Sequence, residues 1–170
     1  MKTKVLFEEV QKQNQKWIWF LVISLNITLI IAFIQQQIFG LQFGNYEMPV
    51  WVYLIMFAIL GTLFFFLIGS NLHTRITANA ITFRFAPFHG KDVSINKEEI
   101  SDCYVRIYRP MAEYGGWGMR TAFNGKNGKA YNVSGKIGIQ LELKDGRRIL
   151  IGTRKYKEAE AAVNQFKSQN

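Results

Sequence analysis

Residues 17–34, WIWFLVISLNITLIIAFI, contain no charged side chain and no polar stripe at helical spacing. A surface helix of a soluble domain keeps a polar face toward water, so a run that is apolar all round belongs in lipid or deep inside a large protein. A chain of 170 residues has room for one ordinary soluble domain or for a membrane segment plus one smaller domain, and the runs that are apolar all round favour the second. At about 1.5 Å per residue this run, continued through Gln35, Ile38 and Phe39 into an interface, covers the roughly 30 Å of a hydrocarbon layer. Residues 50–68, VWVYLIMFAILGTLFFFLI, repeat the pattern with still fewer polar groups and follow Pro49, a residue suited to the first helical turn because no N–H is needed there. The expectation is two transmembrane helices, residues 17–39 and 50–70, joined by an external loop, 40–49. The segment before them, 1–16, reads as a short interfacial helix or a plain extension of the first span.

Charge sets the expected orientation. Lys2, Lys4, Lys12 and Lys16 precede the first span, the loop carries Glu47 and no Lys or Arg, and Arg75 opens a basic C-terminal region. The positive-inside rule then places both termini in the cytoplasm, as a multi-pass protein of the cell membrane. A cleaved signal peptide is excluded by the missing A-x-A site and by the second apolar run. Within the spans Ser24 and Thr28 share a face, and Ala58, Gly61 and Thr62 form a small-residue patch suited to helix packing. Neither span holds an ionisable group, which argues against a transport path.

The formal net charge of +9 suits an anionic surface, and beside apolar spans that surface is lipid rather than nucleic acid. Cys103 is the one cysteine, so no internal disulfide forms and no Cys/His metal spacing exists.

After Leu72 the periodicity becomes two. Ile81, Phe83 and Phe85 fall on one face of a strand, as do Cys103, Val105 and Ile107 of another. In GIQLELKDGRRILIG, residues 138–152, Ile139, Leu141 and Leu143 alternate with polar residues up to Asp145-Gly146, a pair suited to a tight I′ turn. Further strands are expected near 73–78, 92–96, 117–123 and 130–134. In residues 153–170, Ala159, Ala162, Val163 and Phe166 follow 3.6 spacing, with Thr153 as a cap, giving a helix that plugs one end of the β domain. The predicted fold class is a membrane α-helical hairpin plus a mainly-β domain over 72–168, with about seven antiparallel strands in a barrel or sandwich capped by the C-terminal helix.

The stretch TANAITFRFAPFHGKDVSINKEEISDCYVRIY, residues 77–108, resembles the opening of bacterial pleckstrin-homology-like domains, which often follow a pair of membrane spans. YRPMAEYGGWGMR, 108–120, and GIQLELKDGRRILIGTRKYKEAEAAV, 138–163, are similar to small bacterial membrane proteins. The resemblance implies a pleckstrin-homology-like (PH-like) fold at the inner membrane and binding rather than a defined activity. It does not carry phosphoinositide recognition, because the loop between the first two strands, Ala78-Asn79-Ala80, is too short and uncharged.

The most unusual segment is RPMAEYGGWGMR, residues 109–120. As a recognition loop it would present Arg109, Tyr114, Trp117 and Arg120, with Arg106 and Tyr131 beside them; alternatively Trp117 and Met119 begin a strand and pack inward. Lys12, Lys16, Arg75, Lys126 and Lys129 are candidates for a membrane-facing basic surface. Catalytic motifs are missing: His73 and His89 have no nucleophile nearby, Cys103 alternates with core residues, and Asp92, Glu98, Glu99 and Asp102 suit a solvated connection. The Gly-rich residues 124–138 lack a P-loop pattern. No catalytic, cofactor or metal site is expected. The expected function is a non-catalytic, membrane-tethered interaction module that binds the bilayer and a protein partner or a second copy. The alternatives are an assembly subunit of a membrane complex or transporter, or a sensor of a lipid or small ligand.

Overall fold

The computed structural model describes residues 4–13, 16–41, 47–122, 125 and 127–168. The chain divides into two compact units: the helical segment Asn14–Gly69, and everything before and after it.

The larger unit is mainly β. Its strands are β1 (Val5–Lys12), β2 (Asn71–Thr77), β3 (Ala80–Ala86), β4 (Val93–Asn96), β5 (Ile100–Ile107), β6 (Gly118–Thr121), β7 (Lys129–Asn132), β8 (Ile137–Leu143) and β9 (Arg148–Gly152). One sheet has the order β1-β2-β3-β4 and the other β5-β8-β9-β7-β6. The expected fold class is corrected here on three points. Nine strands, not seven, lie among the described residues; they form two open sheets of four and five strands rather than a closed barrel; and β7 pairs with β9 in parallel, so the strands are not all antiparallel.

The extra strand at the N-terminus replaces the expected interfacial helix. Phe7, Glu9 and Gln11 of β1 point inward, and β1 pairs antiparallel with β2 across the whole helical segment, Lys12 facing Asn71. Two of these inward side chains are polar, which hides the alternation from a hydropathy reading; the Glu9 carboxylate and the Gln11 amide nitrogen find partners, while Gln11 Oε1 is buried without one. Glu9 accepts from Thr153 Oγ1 at 2.6 Å and from the Arg154 N–H at 3.0 Å, and Gln11 Nε2 donates to the Gly152 carbonyl at 2.7 Å. Buried polar groups with such partners escape most of the desolvation penalty.

Leu72, Ile76, Ile81, Phe83 and Phe85 of the first sheet share one core with Ile139, Leu141 and Ile151 of the second. Helix α4 (Tyr156–Ser168) lays Ala159, Ala162, Val163 and Phe166 into that core, as the 3.6 spacing predicts. Thr153 Oγ1 accepts from the Lys155 N–H at 3.1 Å ahead of the helix. The β8–β9 connection closes one residue earlier than expected. Leu143 N–H donates to the Arg147 carbonyl at 2.8 Å, and Gly146, at φ 85°, takes the left-handed position of a three-residue loop.

The helical unit contains α1 (Lys16–Phe39) and α2 (Val50–Gly69). They meet edge to face through Trp19 and Phe64, and through Phe33 and Tyr53. Tyr53 donates to Gln36 Oε1 at 3.0 Å. The expectation of two membrane-spanning helices is overturned at the second. Among the described residues only α1, with a mean hydropathy of 2.4 over its best window, is long and apolar enough to cross a membrane. In α2 the apolar stretch that can be followed among the described residues, Val50–Phe66, is shorter than the expected span. Gly61 is no close-packing point either, since an added Cβ there meets nothing within 4 Å.

Candidate functional site

The segment after β5 is ordered by its own sequence. Pro110 occupies the first turn of the short helix α3 (Pro110–Tyr114), and Gly115, at φ 72°, ends it, its N–H donating to the Met111 carbonyl at 3.1 Å while Gly116 N–H donates to Pro110 at 3.0 Å. The Glu113 carboxylate turns back, accepting from the Arg109 N–H at 2.7 Å and pairing with Arg106 Nη2 of β5 at 2.8 Å. Burial acts to raise this carboxyl, but the hydrogen bonds from Arg106 and Arg109 outweigh it and hold Glu113 below the ordinary carboxylate value.

Arg106 is fully engaged inside the domain. Its Nε donates to Gln140 Oε1 at 3.0 Å and its Nη2 also reaches Tyr114 OH at 3.4 Å. Tyr114 is buried, donates to the Asn127 carbonyl at 3.1 Å and lies edge to face with Tyr108. Burial pushes the Tyr108 phenol up to about 12, while Asn132 Nδ2 donates to its oxygen. Trp117 Nε1 donates to the Gly135 carbonyl at 3.0 Å, and Arg120 Nε to the Trp117 carbonyl at 3.1 Å. Met119 follows in β6 with its side chain exposed, so the expected inward packing of that residue does not occur.

Of the residues proposed from sequence, Arg106, Arg109 and Tyr114 are brought together through Glu113, and Trp117 and Arg120 form a second contact. Tyr131 belongs elsewhere: it sits in the main core against Phe83 at 4.7 Å and His89 at 5.2 Å. What the segment leaves open to solvent is the Arg109 and Arg120 positions together with exposed Ile107, Met111 and Met119.

The basic residues do not gather. Arg75 is committed to Glu8 at 2.7 Å, and that hydrogen bond holds the carboxyl of Glu8 low. Lys12 ends β1, Lys16 begins α1 and Lys129 lies exposed on β7 of the other sheet. Lys126 lies outside the described residues.

One feature has no counterpart in the sequence reading. A cleft of about 790 Å³ is lined by Lys97, Asp102, Cys103, Lys144, Phe166 and Lys167, among others. Lys97 Nζ is covered, has no hydrogen-bond partner and lies 5.2 Å over the Phe166 ring. Lys167 Nζ donates to Asp102 Oδ1 at 2.6 Å and to the Cys103 carbonyl at 3.2 Å, holding the Asp102 carboxyl low. Burial pushes the Cys103 thiol up, away from the thiolate a nucleophile needs. Lys97 and Lys167 lie far apart in the chain, so only the fold brings them to one cleft.

Among the described residues no three His, Cys, Asp or Glu side chains converge to hold a metal ion. No protein-family model matches the chain, and no curated protein is significantly similar to it. Of the resemblance to bacterial pleckstrin-homology-like proteins, the structure bears out the coarse layout alone: an N-terminal apolar helix followed by a mainly-β domain.

Proposed function

We propose that this protein is a non-catalytic, membrane-tethered interaction module whose α1 helix holds the two-sheet domain at the cytoplasmic face of a bilayer. The observation that carries the proposal is α1 itself: 24 residues, of which the most apolar window is only 11% buried within the protein. Apolar surface of that extent needs a covering other than water. The polar side chains of α1 support the assignment, because Ser24, Asn26 and Thr28 each donate to a carbonyl of their own helix, which lowers the cost of placing them in hydrocarbon. The pairing of Lys12 with Asn71 joins the strands on either side of the helical segment, so the segment would enter and leave the bilayer on the same face, and Lys12 and Lys16 favour the cytoplasmic face for it. The surface with Arg109, Met111, Met119 and Arg120 is where a protein partner or a second copy would bind.

Alkaline extraction of membranes tests the tether, and crosslinking in intact membranes with mass spectrometry tests the partner. The chain is expected to stay in the membrane pellet, with a reporter after Asn170 active in the cytoplasm and crosslinks at the 109–120 surface. Recovery of the full chain as a soluble monomer without detergent overturns the tether. Recovery of this chain alone after crosslinking, with no pair to itself or to another protein, overturns the interaction role.

A second reading, a sensor of a small anionic ligand, is favoured by the covered Lys97 ammonium beside the 790 Å³ cleft. Calorimetric titration with small phosphates and carboxylates tests it, with Lys97→Met expected to abolish any heat.

A further inference from the structure

The register of the first sheet decides which turn lies where the chain leaves the β domain. Lys12 of β1 faces Asn71 of β2, and Asn71 faces Ala86 of β3. One step beyond that row, the Gln13 N–H donates to the Ser70 carbonyl at 3.3 Å. The turn between β3 and β4, residues 87–92, therefore shares its sheet end with the two points at which the chain passes into and out of the helical segment. Ser70 directly follows the last residue of α2, and Gln13 is separated from Lys16 by two residues, a reach of about 10 Å at most.

This turn presents Phe88, 52% exposed while stacking on Phe85 at 5.9 Å, and an exposed Lys91. The turn is pinned. His89 N–H donates to the Phe85 carbonyl at 2.8 Å, its Nδ1 accepts from the Phe85 N–H at 3.4 Å, and its ring packs on Phe83 and Tyr131. Lys12 is exposed at the same sheet end, and Arg154 Nη2 donates to the Lys12 carbonyl at 3.0 Å. Asp92 of the turn is neutralised by Arg84 at 3.5 Å. An exposed aromatic ring in a turn that carries Lys91, on a sheet end that also carries Lys12 and is tied by short links to the helical segment, has the chemistry of an interfacial anchor: the ring enters the headgroup boundary and the lysines meet anionic headgroups.

We infer that the 87–91 turn is a second membrane contact, with Phe88 at the headgroup–acyl boundary of an anionic bilayer and Lys12 and Lys91 among its phosphates. The inference rests on the assignment of α1 as the tether.

The test is a nitroxide at Phe88→Cys in the full chain, in nanodiscs of phosphatidylethanolamine and phosphatidylglycerol, with reference labels at Ile27→Cys in α1 and Thr121→Cys on β6. The native Cys103 is 1% exposed and stays unlabelled. The ratio of oxygen to nickel-chelate accessibility at position 88 is expected to exceed that at position 121 severalfold and to fall when Lys91→Glu is added. If position 88 is as open to the nickel chelate as position 121 while position 27 reads lipid, the second contact is overturned and the tether stands. A label at 88 shielded from both relaxers overturns it too, in favour of a protein contact. If position 27 also reads water, the tether fails and this inference fails with it.

Discussion

The Glu113 carboxylate lies 2.8 Å from the Arg106 guanidinium, with side chains only 22% and 24% exposed, so α3 is fastened to β5 by a pair largely out of water. Because the Glu113 carboxyl is held below its ordinary value of 4.5, its contribution is complete above that value and is lost as pH falls through the lowered one. Thermal unfolding of the purified chain in detergent is expected to show a stability loss below about pH 4.5 that Glu113→Gln weakens. Arg106→Ala, which takes the guanidinium away from the Glu113 carboxylate and the Tyr114 hydroxyl and leaves them their weaker partners, is expected to cost about 2 kcal/mol. A variant with unchanged stability at pH 7 would show that α3 is held by packing alone.

Glu9 is the polar fastening of β1. Its carboxylate serves both the Thr153 hydroxyl and the Arg154 N–H, so Glu9→Ala strands two donors and is expected to destabilise the domain by about 2 kcal/mol. Thr153→Val removes one partner and is expected to cost less. Hydrogen exchange of β1 amides checks both, and protection equal to that of the parent chain would refute the role.

Gly128 cannot carry a side chain. Its φ is 69°, and a Cβ would come within 1.9 Å of the Arg148 carbonyl oxygen, a backbone atom that moves only with β9. Gly128→Ala is therefore expected to cost about 3 kcal/mol, from a left-handed conformation plus a displaced strand. Gly125→Ala, where φ is also positive but nothing lies within 4 Å, is expected to cost about 1 kcal/mol. Comparing the two melting temperatures separates clash from conformation.

A piece beginning at Ser70 lacks β1 and bares the edge of β2. Such a piece is expected to aggregate. Joining residues 4–13 to 70–168 through an Asn-Gly turn, which the adjacent Gln13 and Ser70 backbones can accept, is expected to give a soluble monomer. Size-exclusion chromatography of the two forms decides, and equal behaviour would mean that β1 is dispensable.

Much of this fold is legible in the sequence where inward positions are apolar. Ile81, Phe83 and Phe85 of β3 alternate as expected, and Ala159, Ala162, Val163 and Phe166 of α4 enter the core. β1 is illegible because Glu9 and Gln11 occupy inward positions and bond to residues some 140 positions away. The same distance effect governs the candidate site. Local spacing locates Arg106, Arg109 and Tyr114 in one neighbourhood, but it cannot reveal that Tyr131 packs on Phe83 instead, or that Lys97 and Lys167 meet at one cleft.

The pairing of β1 with β2 across the helical segment also imposes an order on biosynthesis. The first strand leaves the ribosome before the apolar helical stretch, and its neighbour follows only after that stretch is complete. Until then a nascent chain carries an unmatched strand, Phe7 included, so the β domain closes only after the whole helical stretch has been made.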